Sequence, residues 1–247
     1  MPKVFLSPST QGQNEYVSGG TEELYMNQLT DEIIPYLDAS GIGWARNNPD
    51  LPAAAAIAQA NAGSFGLYVA LHSNTAPEGQ RGTLRGSDVY YSRYGKRSQR
   101  ASEIFVQNLK LVYPLPDLVR AIPTTVRGEV TLTRAPAVLL ELAYHDNYED
   151  AAWIRRSLPS IAWAIARSIT QYFGLPLYEP MEPRDAVVAL TSGTLHLRAS
   201  PSLRASVISS IPNGATVTVL GMASEWDVVR YGSQTGYAAA RYLQMKG

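Results

Sequence analysis

The sequence predicts an α/β domain, a mostly parallel twisted sheet with helices on both faces, followed by a small all-β barrel. Three observations predict it: short apolar runs that alternate with helical stretches through the longer N-terminal part, a proline-bearing break near residue 180, and closely spaced β-rich runs divided by turn signals after that break.

The first apolar run, Val4 to Leu6, ends at Ser7-Pro8-Ser9; Gly19-Gly20 with Thr21 then precedes apolar residues at Met26, Leu29, Ile33 and Leu37. That pattern is a strand, a loop and a capped helix with one apolar stripe. Leu67 to Leu71 leads into His72-Ser73-Asn74, Val89 to Tyr91 follows a glycine-rich loop, and Ala137 to Ala143 carries Glu141 in its middle. Leu158, Ile161, Ile165, Ile169 and Phe173 recur at three and four residues, a helix that Gly174 and Pro176 terminate. Residues 1–175 are therefore expected to form the first domain. Residues 176–185, with Pro176, Pro180 and Pro183, are expected as a stiff linker. Residues 186–247 form the expected barrel, with runs at Ala186 to Leu190, Leu195 to Arg198, Val207 to Ile211, Thr216 to Leu220 and Trp226 to Tyr231.

Composition narrows the function. Hydrophobic residues at 45% and charged residues at 17% describe an ordered chain. The 21 basic and 21 acidic side chains cancel, so the positive field that nucleic-acid binding needs is missing. With no cysteine, disulfides, thiolate metal sites and a cysteine nucleophile are excluded, and a metal would have to be held by His, Glu or Asp. The opening Met-Pro-Lys-Val-Phe-Leu runs at once into polar residues, neither a signal-peptide core nor a membrane span.

Three residues carry candidate chemistry: Glu23 in the first turn of the first helix, His72 after a strand, and Glu141 inside an apolar strand. Open parallel sheets place their sites beyond the carboxyl ends of strands, where His72 is expected. Glu141 is the most informative, because a carboxylate buried without a partner costs several kcal/mol. Beside a metal and its water it would act as the proton-transfer group. Without one it would pair with Arg134 or with backbone donors.

These residues resemble the zinc-dependent N-acetylmuramoyl-L-alanine amidases of bacterial walls, spores and phage lysins, over roughly residues 3–173. Glu23 with Asn27 looks like the family's helix motif, whose Glu is a zinc ligand. Leu71-His72-Ser73-Asn74 looks like its second histidine motif, also a zinc ligand, and Arg134 to Tyr144 looks like the motif with its catalytic glutamate, here Glu141. Arg46, Asp50 and Tyr90-Tyr91 fall where the family has similar residues. One departure stands out. The family has a Gly-His-Gly or Gly-His-Ser motif after its first strand, and this chain has Ser7-Pro8-Ser9-Thr10-Gln11. His145, four residues after Glu141, is the expected substitute ligand, with Ser9, Gln11 or Gln13 as alternatives. As a loop residue His145 would instead pack under Tyr144 or bond the Asp146-Asn147 turn.

The C-terminal segment resembles bacterial SH3-like domains through Gly193 to Arg198, Ile211 to Gly214, Trp226, Gly236-Tyr237 and Tyr242-Leu243. Members often bind wall peptides, which makes Trp226, Tyr231 and Tyr237 candidates for a wall-binding groove; the plainer reading of Trp226 and Tyr237 is barrel core or rim, and His196 is read as structural.

The resemblance implies a zinc-dependent hydrolase that cuts the amide between N-acetylmuramic acid and L-alanine, acting at the cell wall or outside the cell on peptidoglycan or muropeptides. The alternative is a degenerate, non-catalytic relative that binds peptidoglycan fragments. A serine hydrolase gains no support, since no Gly-x-Ser-x-Gly elbow occurs.

Overall fold

The computed structural model describes residues 1–246 and divides into two compact units. One holds Pro2–Ile33 and Trp44–Tyr172; the other holds Met1, Ile34–Gly43 and, among the described residues, 173–246.

The first unit is built on six strands, β1 (Lys3–Pro8), β2 (Gly43–Arg46), β3 (Leu67–Asn74), β4 (Ser87–Ser92), β5 (Val119–Thr124) and β6 (Ala137–Tyr144), in the order β2-β1-β3-β6-β4-β5. The pairs β1–β3, β3–β6 and β4–β5 are parallel, and β4–β6 is antiparallel. The four runs that sequence marks as apolar are the inner strands. All eight residues of β6 are buried, as a strand covered on both faces requires. The edge strands β2 and β5 escape the sequence reading because their burial is mixed and neither shows a clean apolar run.

Alternation along the strands separates two faces. Phe5, Tyr68, Ala70, Ala137 and Leu139 lie on one face and cluster with Ala56, Ala60 and Val130 of two helices, α2 (Ala53–Ala62) and α4 (Gly128–Thr131). Further along the same face, toward the carboxyl ends of β1, β3 and β6, the residues become Ser7, His72 and Glu141. The remaining helices are α1 (Glu22–Ala39), α3 (Lys96–Leu109), α5 (Tyr148–Arg156) and the expected terminal helix α6 (Leu158–Phe173). Among the described residues no helix is long and apolar enough to cross a membrane.

The start of α1 is held in place. Gly19 and Gly20 both have positive φ (86° and 83°), and a Cβ on Gly20 would lie 2.5 Å from Tyr25 Oη, whose hydroxyl donates to Gly19 O at 2.8 Å. Thr21 Oγ1 then accepts from Leu24 N at 3.2 Å, so the first helical residue is Glu22.

The second unit carries seven strands, β7 (Arg184–Val188), β8 (Thr194–Arg198), β9 (Val207–Pro212), β10 (Thr216–Gly221), β11 (Trp226–Tyr231), β12 (Gln234–Ala239) and β13 (Leu243–Met245), in the order β13-β7-β10-β11-β12-β8-β9. Their inner residues Val188, Leu197, Ile211, Val219 and Val229 form a continuous core. Part of the segment expected as a linker is structured: Tyr178 is buried, its N–H donates to Ser40 Oγ (2.9 Å), its hydroxyl donates to Trp226 O (2.7 Å), and β7 begins at Arg184. Prolines suit such a segment because it contributes no ladder hydrogen bonds before β7.

Candidate active site

Register places the central residues. His72 pairs with Glu141 across β3 and β6, and Glu141 pairs with Asp88 of β4, so the three side chains leave the same face in a row. Ser9, whose N–H donates to Leu71 O at 2.9 Å, follows directly after β1 at the end of that row.

His72 is clamped between two carboxylates. Its Nδ1 lies 2.9 Å from Glu22 Oε1 at the start of α1, and its Nε2 lies 2.9 Å from Glu129 Oε2 on α4. Glu129 Oε1 accepts in turn from Ser7 Oγ (2.9 Å) and Tyr68 Oη (2.7 Å), while Glu22 Oε2 accepts from Asn14 Nδ2 (2.6 Å). Burial alone would strip the proton from His72, but the bonds to Glu129 and Glu22 outweigh it and push its pKa up to about 10. Burial likewise opposes ionisation of both glutamates, and the hydrogen bond from His72 overrides it and lowers each pKa. An imidazole nitrogen and a carboxylate oxygen 2.9 Å apart need a proton or another cation between them, since two lone pairs repel.

Glu141 is only 6% exposed, its Oε2 has no hydrogen-bond partner, and Arg127 Nη1 approaches Oε1 at 3.6 Å. Burial raises its pKa to about 7, with His72 and Arg127 pulling it partly back down. Arg127 is itself stacked over the Tyr90 ring at 4.9 Å. The partner expected from sequence, Arg134, is turned instead to Asn61: its Nη1 donates to Asn61 O at 3.3 Å and its backbone N–H to Asn61 Oδ1 at 2.7 Å.

The expected metal trio Glu23, His72 and His145 is not assembled, and among the described residues no group of three or more His, Cys, Asp or Glu side chains is arranged to hold a metal ion. Because α1 starts at Glu22, this residue faces His72, and Glu23, one position on, is turned about 100° around the helix. Glu23 Oε2 lies instead against Gly12, 2.5 Å from where a Cβ there would stand. His145 is buried, but its Nδ1 meets Ser73 Oγ at 3.1 Å and its ring stacks on Tyr16 at 5.5 Å. Ser73 and His72 are successive residues of a strand, so they project to opposite faces, and His145 follows Ser73.

Of the alternative donors, Ser9, Gln11 and Gln13 line a cavity of about 430 Å³ together with Asp50, His72 and Glu129. Gln11 Nε2 is 3.4 Å from His72 Nδ1. Asn27 and Arg46 brace α1 instead of entering the cavity: Arg46 donates to Asn27 Oδ1 at 2.5 Å and to Asp31 Oδ1 at 2.7 Å. Glu129 is the residue that sequence reasoning misses. It sits in a polar stretch with no apolar run to mark it, and only the turn of α4 brings it over β3.

In the second unit Tyr237 is fully buried, and its hydroxyl donates to Ser40 O at 2.8 Å, so it is core and not part of a binding groove. Tyr231 packs at the edge of the barrel core. Trp226 is half-buried and lines a cavity of about 620 Å³ with Leu203, Arg204, Glu225 and Arg241.

No curated protein sequence matches the chain. Among solved structures it is similar to the catalytic domain of CwlV, an N-acetylmuramoyl-L-alanine amidase from Bacillus (Paenibacillus) polymyxa var. colistinus, with TM-score 0.60, 18% identity, and 71% of this chain and 100% of that one covered. It is similar to Ami1 from Mycobacterium smegmatis with TM-score 0.59 and 20% identity over 70% of this chain and 97% of that one. The catalytic domain of the CD27L endolysin targeting Clostridia difficile gives TM-score 0.57 and 16% identity over 69% and 98%. Residues 193–244 match the family profile of the bacterial SH3 domain. Residues 7–171 match that of the N-acetylmuramoyl-L-alanine amidases, the larger part of the chain, and the chain belongs to this family.

Proposed function

We propose that the chain hydrolyses the amide between N-acetylmuramic acid and the L-alanine of the stem peptide, with Glu141 as the proton-transfer group. The observation that carries this reading is Glu141 itself: a buried carboxylate with an unpartnered oxygen, in register with His72 at the carboxyl end of a parallel pair. A group with no chemical task has little reason to bear that desolvation cost.

Zinc is the metal the family resemblance implies, and the one imidazole–carboxylate contact that joins His72 to the start of α1 is with Glu22. Glu22 and His72 would hold the metal, with Ser9 as a neutral oxygen donor nearby in place of the family's first histidine, while Gln11 turns its amide nitrogen to His72 and its oxygen to Asn14. Such a set is weaker than three charged or imidazole ligands. Zinc held by these residues would supply Lewis acidity toward the scissile carbonyl and make the attacking water more acidic.

Glu141 takes the proton of the attacking water and returns it to the departing amine of L-alanine. Burial raises the pKa of Glu141 in the metal-free chain, the direction that lets one carboxyl both accept and donate near neutral pH. Arg127 limits how far burial raises that pKa. The cavity beside His72, with Ser9, Gln11 and Asp50 in its lining, is the place we assign to the substrate.

The SH3 domain holds the enzyme on peptidoglycan, with Trp226 and Tyr231 as candidate wall contacts, and the place of action is the cell wall or the extracellular side. Tethering of this kind raises local concentration without adding catalytic groups.

The test is metal content and muropeptide cleavage for the unaltered chain and for Glu141→Gln and His72→Ala. About one zinc per chain and cleavage, with cleavage lost in both variants and metal lost only in His72→Ala, supports the reading. The missing first histidine favours one competitor, a non-catalytic binder of wall fragments. Retained muropeptide binding with neither metal nor cleavage, even after zinc is added, would establish it.

A further inference from the structure

We infer that Glu129 is the positioning residue of this site: it fixes the His72 ring so that Nδ1, and not Nε2, faces Glu22. The inference rests on the proposed function only for what the fixed ring then holds; the geometry of the clamp is independent of it.

Glu129 meets Nε2 at 2.9 Å, the ring nitrogen opposite the one that meets Glu22. It receives three bonds, from His72, Ser7 and Tyr68, and it is 7% exposed. A carboxylate buried to that degree persists in its charged form only where donors of this number surround it. The donors converge for a topological reason. Tyr68 and His72 are four residues apart on β3 and share a face; Ser7 pairs with Ala70, between them, across β1 and β3; α4 lays Glu129 over all three.

An imidazole without a partner at its second nitrogen is free to change tautomer or turn its ring, and metal-binding histidines are held by such a partner. Ser7 belongs to the segment Ser7-Pro8-Ser9, where this chain departs from the family's first histidine motif. The segment that lacks the family's first histidine therefore helps to hold the histidine that is present.

Two readouts test this. The chain has three histidines, so the imidazole region of a proton–nitrogen correlation spectrum is simple to assign. In metal-free protein the His72 Hε2 proton should be downfield and slow to exchange. Glu129→Gln should move it upfield and speed its exchange at least about tenfold, and it should weaken zinc binding roughly 10- to 100-fold. Tyr68→Phe, which keeps the carboxylate and removes one of its donors, should shift the same resonance in the same direction by less, and decides the matter if Glu129→Gln does not fold. An unchanged Hε2 resonance in the folded variant overturns the inference, as does unchanged zinc affinity in a variant of a chain that binds zinc. Failure of the unaltered chain to take up zinc counts against the metal in the proposed function and leaves the Hε2 measurement to decide the role of Glu129.

Discussion

His72 and Glu141 are in-register neighbours on β3 and β6, which sets a carboxylate with one unpartnered oxygen beside an imidazole whose two nitrogens are both engaged. The two glutamates bonded to His72 have lowered pKa values, whereas that of Glu141 is raised, because only the first two receive its ring protons. One site thus holds acids of opposite character.

Glu141→Gln should lower turnover of muropeptides by roughly 10²- to 10⁴-fold, the usual contribution of a positioned acid–base group. Because the replaced carboxylate has no hydrogen bond at Oε2, thermal stability near neutral pH should not fall. Steady-state kinetics and a melting curve on the same preparation check both halves; a stability loss as large as the activity loss would make Glu141 a structural residue.

The same group makes stability depend on pH. Its folded pKa, about 7, lies above the reference value of 4.5, so its contribution is fully present below pH 4.5 and is lost as pH rises through 7. The difference amounts to about 3 kcal/mol at about 1.4 kcal/mol per unit. Denaturant unfolding of metal-free protein at pH 5 and pH 8 should therefore show the unaltered chain losing stability relative to Glu141→Gln. Parallel curves would mean that Glu141 is better solvated than its 6% exposure indicates.

Metal content should separate neighbours in sequence. Glu22→Ala should lose any bound zinc, whereas Glu23→Ala and His145→Ala should keep it, because Glu22 faces His72 while His145 Nδ1 is turned to Ser73. Elemental analysis of the three variants suffices. Loss in His145→Ala with retention in Glu22→Ala would restore the ligand set that sequence alone suggests.

In the barrel, Trp226→Ala should weaken retention on purified cell walls while leaving cleavage of soluble muropeptides unchanged. Tyr237→Ala should instead cost about 3–5 kcal/mol of stability, as removal of a fully buried aromatic does. A pull-down on insoluble walls with melting curves alongside distinguishes the two; full retention by Trp226→Ala would remove it from the wall-binding surface.

Much of this molecule was legible before any coordinates. Apolar runs at Val4, Leu67, Val89 and Ala137 are the inner strands, because strands buried on both faces must be apolar throughout. The same logic singled out Glu141 and His72, since a charge inside such a run and a histidine at its end both stand out against apolar neighbours. Tertiary structure decided the rest. Whether Glu22 or Glu23 faces inward depends on the single residue at which α1 begins, a difference of about 100° that apolar periodicity does not resolve. Glu129 acquires its role only when a short helix folds over Tyr68, and Arg127 displaces Arg134 as the cation near Glu141 for the same reason. Tyr237 and Trp226 read alike as aromatic barrel residues, yet one is sealed in the core and the other lines a cavity. Hydrophobic pattern is a local property that burial imposes on each strand, so sequence carried it; partner choice among polar side chains is set by contacts between residues far apart in the chain, 122 positions for Ser7 and Glu129, and exists only once the chain has folded.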